Sequence, residues 1–167
     1  MAEQQRSVYP FNAFNFEVQI EVTGLGVKKI CEGQFSECDG LEMTMDVKTI
    51  REGGNNGAQI RLLGAVNYGT VTLKRGMTAN SFDLWDWFDA QQLAIPRELR
   101  SDYRGKATIA LRTPDGKDDR VRFVLNRCLL TKLKAPAMNA GAGIVAIEEL
   151  QLTYESMFIE RGGGLHA

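Results

Sequence analysis

From Phe14 to Val22 apolar and polar residues alternate without a break, Phe14, Phe16, Val18, Ile20 and Val22 against Asn15, Glu17, Gln19 and Glu21. A repeat of two sends successive side chains to opposite faces of an extended chain, so this stretch is a strand with one dry and one wet face. Such a strand is useful only inside a sheet, and the sheet needs a second layer over its dry face. The same repeat returns along the chain. It is carried by Leu41, Met43, Met45, Val47 and Thr49, by Val71 and Leu73 between Thr70, Thr72 and Lys74, by Ala107, Ile109 and Leu111, and by Val121, Phe123 and Leu125. A shorter strand is expected over Gln34–Cys38.

Turn chemistry separates these runs. Thr23, Gly24 and Gly26 end the first, Asp39-Gly40 follows the short strand, and Thr113-Pro114-Asp115-Gly116 divides two later strands. Glu52-Gly53-Gly54-Asn55-Asn56-Gly57 reads as a hairpin tip, because glycine and asparagine accept positive φ. Ile60 and Leu62 lead back from it. Two phase shifts read as bends, one at Asn126 and Arg127 and one at Glu148-Glu149. At the second, the inward set is expected to change from Val145 and Ile147 to Leu150, Leu152 and Tyr154, within a last strand running from Ile144 to about Phe158.

One helix interrupts the strands. Asn80 or Ser81 can cap it, Asp83 lies at its positive end, and Pro96 limits it. Leu84, Trp85 and Phe88 share a face at helical spacing and are expected to pack it down, with Asp83, Asp86 and Asp89 on the wetter side. About seven mostly antiparallel strands, one helix and no βαβ alternation predict a mainly β fold of two packed antiparallel sheets, a sandwich or partly closed barrel. With 167 residues this is one domain, expected over residues 14–158, between a polar arm (1–13) and a glycine-rich tail (159–167).

Few chemistries survive inspection. The chain carries 20 basic and 21 acidic residues, no electrostatic footprint for nucleic acid. No apolar run reaches the roughly 20 residues that span a bilayer, and Met1–Pro10 lacks the apolar core of a secretory signal. Synthesis in a cytoplasm without membrane anchoring is therefore expected. Cys31, Cys38 and Cys128 are odd in number and read as free thiols in or near the core. The single histidine, His166, follows a glycine run, so a nucleophilic triad lacks its usual base. Asp115, Asp118 and Asp119 fall in a turn, where solvated acids are the rule. Glu148-Glu149 puts one carboxylate on each sheet face. No phosphate loop, cofactor motif or metal spacing is present, and no catalytic, cofactor or metal residue is assigned. Trp85, Trp87 and Phe88 can be a stacking platform for a ligand or, more simply, the apolar face of the helix.

What remains is the hairpin from Thr44 to Arg61, long and mixed in charge through Lys48, Arg51, Glu52 and Arg61. A protruding pair of strands carries unpaired backbone groups, which a second subunit can cover.

Several segments occur in an order that resembles one family. They are Phe35-Ser36-Glu37-Cys38-Asp39-Gly40-Leu41, Ile50-Arg51-Glu52-Gly53-Gly54, Tyr68 through Gly76, the helix with Leu84, Trp85, Trp87 and Phe88, and Glu149 through Glu155. Together they resemble the inner tail-tube proteins of T4-like contractile phages and extracellular contractile injection systems, over about Phe14–Phe158. The resemblance implies a ring-forming fold with six subunits per ring, rings stacked into a β-lined channel, and a long hairpin contacting the next ring. That hairpin would act through Lys48, Arg51, Glu52, Gly53, Gly54, Asn55, Asn56, Gly57 and Gln59. The partners implied are copies of the chain itself, a sheath, baseplate and spike proteins, and a cargo of DNA or protein effectors, in a phage tail-like particle. A ring that initiates the tube at the baseplate and a secreted ring of a type VI system are related alternatives. A small β-barrel binding module is an alternative of another class.

Overall fold

The computed structural model describes residues 13–24, 29, 31–33, 35–51, 53–54, 59–78, 82–92, 103–141 and 143–161. Ten strands and one helix occur among them. They are β1 (Phe16–Val22), β2 (Cys31–Gly33), β3 (Glu37–Asp39), β4 (Met43–Ile50), β5 (Ile60–Tyr68), β6 (Val71–Gly76), α1 (Asp83–Gln92), β7 (Gly105–Arg112), β8 (Asp119–Lys134), β9 (Ile147–Thr153) and β10 (Ser156–Arg161). Every described pairing is antiparallel.

The sixteen-residue strand β8 belongs to both layers. Its first half pairs with β7 and β10, and its second half, Leu129–Lys134, pairs with β9. Between the halves Arg127 adopts a φ of 55°, a conformation costly for a residue with a Cβ. The strand turns there, where the alternation changes phase in the sequence. One layer therefore reads β2-β1-β7-β8-β10 and the other β8-β9-β6-β3. The path runs open from β2 to β3, and no described pairing closes it into a barrel.

The two inner faces share one core. Val18, Ile20 and Val22 of β1, Ala107 and Ile109 of β7 and Leu125 of β8 meet Val71 and Leu73 of β6, Leu130 of β8, and Leu150 and Leu152 of β9. Cys31 and Cys128 are buried and Cys38 packs against the core, all three as free thiols. Burial pushes each of them up to about 11, so they stay protonated and inert at neutral pH.

Helix α1 closes this core, but with a different ring from the one expected. Trp87 is 0% exposed and Leu84 and Ala90 are buried beside it, whereas Trp85 is half-buried and Phe88 packs only at the margin. The three-residue step Leu84–Trp87–Ala90 defines the buried stripe, and Trp85 lies to one side of it. Its indole N–H is covered and has no hydrogen-bond partner among the described residues. Trp87 Nε1 donates to the Tyr103 carbonyl at 2.8 Å, and the ring fits because position 105 is glycine; a Cβ there would come within 3.0 Å of it. The expected caps, Asn80 and Ser81, lie outside the described residues.

Three other expectations change. The short strand is centred on Glu37–Asp39, with a separate strand over Cys31–Gly33. The final run breaks at Tyr154-Glu155 and not at Glu148-Glu149. Glu148, Leu150, Leu152 and Tyr154 all point inward in one unbroken alternation, while Val145 and Ile147 are exposed. The apparent slip arose because the core accepts a carboxylate and leaves two aliphatics outside. Finally, β10 runs on through Arg161, past the expected start of the tail.

Candidate functional site

Strands β3 and β4 are two parts of one long extended segment, and β5 and β6 are its return. Glu37–Asp39 pair with Lys74–Thr72, and Met43–Ile50 pair with Tyr68–Ile60. Between the two ladders the ribbon bends out of the sheet. Gly40 has a φ of +88°, and a Cβ on it would overlap the Thr70 carbonyl. On the other arm a Cβ at Gly69 would overlap Glu42 and crowd the Gly40 carbonyl, while the Gly69 N–H donates to Glu42 O at 3.1 Å. Only glycine fits at either position, at Gly40 for its positive φ and at both because the two arms approach so closely. The bend is anchored to the body by Tyr154, whose hydroxyl donates to the Glu42 carbonyl at 3.3 Å and whose ring meets Tyr68 at 5.4 Å between centroids.

Beyond that root no described residue covers the ribbon. Every residue of β4 is exposed, and of β5 only Tyr68 is partly buried. Cross-strand partners share a face, so Met43 with Tyr68, Met45 with Val66 and Val47 with Leu63 make one apolar face near the root. A bulge between Met45 and Val47 keeps that face continuous, with Gly64 set against the Asp46 backbone. On the opposite face, toward the tip, Lys48 lies opposite Leu62 and Ile50 opposite Ile60. Eight large apolar side chains of this ribbon are exposed, among them Met43 at 50%, Val47 at 57% and Leu63 at 80%.

The expected contact residues fall at the far end. Lys48 is in β4, Arg51 and Gln59 flank the strands and are exposed, and Gly53 and Gly54 form a turn in which Gly54 has a φ of +96°. Glu52, Asn55, Asn56 and Gly57 lie outside the described residues. The polar tip drew attention in the sequence, but the apolar face behind it was missed. Its signal was the Leu41-to-Thr49 alternation, which reads equally well as a face turned to the protein's own core.

Two other surfaces are notable. Met138, Ile144, Val145 and Ile147 are also exposed, with Val145 and Ile147 beside Gly76. The outer face of the β1-β7-β8-β10 layer is instead polar. Arg112 there pairs with Glu17 and Asp119, and Arg122 with Asp119, around a shallow open depression that also takes in Lys106 and Glu160. Ligand sites are ordinarily concave and mostly apolar, and this one is neither closed nor greasy. Inside the core, Glu148 is 0% exposed and is matched by Arg75, which also reaches Cys31 Sγ at 2.9 Å and lies over the Phe35 ring. Arg75 thus pairs with Glu148 Oε1, while Glu148 Oε2 is buried without a hydrogen-bond partner among the described residues.

Comparison with known proteins agrees with this geometry. The chain is similar to one in the sheath–tube complex of an extracellular contractile injection system, PVC, in its extended state, with 20% identity, a TM-score of 0.74, and coverage of 96% of this chain and 99% of that one. It is similar to a chain of the tube-terminating cap of the anti-feeding prophage, AFP, with 19% identity, a TM-score of 0.76, and coverage of 95% and 96%. A chain of the AFP baseplate is 25% identical with a TM-score of 0.71, over 92% of this chain and 97% of that one. No curated protein matches the sequence. The model of the T4-like virus tail tube protein gp19 family matches residues 12–158. The chain belongs to that family and is a structural tail tube protein of a phage tail-like particle.

Proposed function

We propose that this subunit forms hexameric rings that stack into the hollow inner tube of a contractile injection system or contractile phage tail, and that the tube is a passive conduit for cargo. The observation that carries the reading is the β4–β5 ribbon, two strands with eight exposed large apolar side chains. A two-stranded ribbon is marginal alone in water, and one this apolar on both faces requires neighbours. Fully burying a Val, Leu, Ile or Met side chain is worth roughly 1.5–3 kcal/mol. The set therefore offers several kcal/mol toward association, before the entropy of joining is subtracted.

In this reading Met43, Met45, Val47, Leu63 and Val66 lie against an adjacent copy. The tip, with Lys48, Arg51, Glu52, Gly53, Gly54, Asn55, Asn56, Gly57 and Gln59, reaches the next ring. A sheath surrounds the tube and drives it, with baseplate and spike proteins at its end, so the subunit itself needs no fuel site. The similarity to a baseplate chain favours a second reading, a ring that starts the tube at the baseplate.

Negative-stain microscopy of the purified chain tests both. Stacked tubes are expected for the main tube protein, and single rings that do not stack for an initiator. Deleting Gly53–Gly57 should leave a folded subunit that forms rings but no tubes. Normal tubes from that deletion would remove the tip from the axial contact.

A further inference from the structure

The outer face of the β8-β9-β6-β3 layer carries an ordered charge pattern. Pairing sets Glu37 opposite Lys74, Lys74 opposite Glu149, and Glu149 opposite Lys134. One row thus crosses all four strands with signs that alternate minus, plus, minus, plus. Within it Lys74 Nζ lies 2.9 Å from Glu37 Oε2, and a diagonal pair ties it to the neighbouring row, with Lys132 Nζ 3.0 Å from Glu149 Oε1. The hydrogen bond that Lys74 donates to Glu37 raises Lys74 above the usual lysine range, and the one that Lys132 donates to Glu149 holds Glu149 below the usual carboxylate range. The next row runs Asp39, Thr72, Gln151, Lys132. Both rows begin with an acid on β3, the last strand of the layer, and end with a base on the second half of β8. The layer has an acidic border, Glu37 and Asp39, and a basic border, Lys132 and Lys134.

We infer that this layer joins the same layer of a second copy head to tail, with Glu37 and Asp39 of one subunit against Lys134 and Lys132 of the next. This rests on the tube reading and deepens it by naming what sets the direction of joining. Head to tail, the alternation continues across the joint, plus meeting minus in both rows. The two-fold alternatives set acid against acid or base against base, and like charges directly opposite are unfavourable. The pattern therefore selects against closed dimers and for a repeating, heterologous contact, the kind that closes into a ring. The Leu130 N–H is already bonded to Gln91 Oε1 of α1 at 3.2 Å. The joint is accordingly made by outward side chains and does not require a continued backbone ladder. Exposed pairs contribute little affinity each, so their role is choice of partner edge, with apolar burial elsewhere supplying the strength.

Two charge-reversed chains test this. Glu37→Lys/Asp39→Lys makes both borders basic, and Lys132→Glu/Lys134→Glu makes both acidic. Assembly is followed by sedimentation and microscopy at about 0.15 M salt, where the screening length is about 8 Å. Each variant alone is expected to need about tenfold more protein than the wild type to form rings. An equimolar mixture should recover the wild-type threshold, because each basic border then meets an acidic one, in rings that alternate the two chains. Melting temperatures identify a variant that is misfolded; the neutral pair Glu37→Gln/Asp39→Asn then replaces it and should lose the salt dependence of assembly. Single variants that assemble like wild type, or a mixture no better than its folded components, would overturn the inference and leave the tube reading standing. A wild-type chain that never assembles removes both.

Discussion

The two-layer body and the β4–β5 ribbon are built from the same kind of sequence and meet opposite fates. In β1 the alternation Val18, Ile20, Val22 is buried to completion. In β4 the alternation Met43, Met45, Val47 is just as regular, and each residue is about half exposed. The strands that cover β1 come from its own chain, whereas the ribbon leaves its chain at a glycine-lined bend before any cover is reached. Alternation specifies that a face is dry without specifying whose atoms dry it. In a subunit made to be repeated, some of those faces are completed by copies.

That contrast predicts that substitutions in the body act on folding and substitutions in the ribbon act on association. The largest folding effect is expected at Trp87, the biggest of the fully buried side chains. Trp87→Ala removes its packing between α1 and Gly105 together with its bond to the Tyr103 carbonyl. A loss of about 3–5 kcal/mol is expected in urea unfolding of the unassembled chain. A loss under about 1 kcal/mol would mean that the helix contributes little to the body and that the contrast is overstated.

The buried pair sharpens the same point one step lower. Glu148→Ala leaves Arg75 with a charge in a site where its side chain is only 14% exposed. Because Arg75 keeps some access to water, the loss should sit near the lower end for a broken buried pair, about 3 kcal/mol. Replacing both partners, Arg75→Met with Glu148→Leu, should return stability to within about 1 kcal/mol of wild type, since apolar groups of similar volume need no counterion. If the double variant stays as weak as the single one, the pair contributes through geometry that methionine and leucine cannot reproduce.

Much of the body was legible from local pattern. The runs around Val18, Leu73, Ile109 and Leu125 became strands, the Thr113–Gly116 turn closes with a Gly116 N–H to Thr113 O bond, and the phase change at Asn126-Arg127 marks the bend by which β8 changes layer. Errors came where residue chemistry and burial part company. Glu148 belongs to the core and Val145 does not, so reading polarity as exposure placed a bend six residues too early. Trp85 and Trp87 both suit an amphipathic helix, and only the presence of Gly105 opposite one of them decides which is swallowed. At the candidate site the glycine-rich tip was legible from composition. The apolar ribbon face was not, because alternation of Met43, Met45 and Val47 reads the same whether the face is buried in its own subunit or left exposed.

The smallest folding effect, and the most telling one, is expected at Leu63. Its side chain is 80% exposed and sits opposite Val47 on the uncovered face. Leu63→Ser should change the stability of the unassembled chain by no more than about 0.5 kcal/mol, as for surface positions generally. In an assembly where that face is covered, the same change removes an apolar anchor and buries a hydroxyl, at a cost of about 1–3 kcal/mol per subunit. Each subunit of a ring repeats that cost, so the concentration needed for rings should rise at least about tenfold. Equilibrium unfolding and sedimentation on the same preparation separate the two quantities. Equal effects on folding and assembly would place Leu63 in its own subunit's core, and the distinction between body and ribbon would fail at its clearest residue.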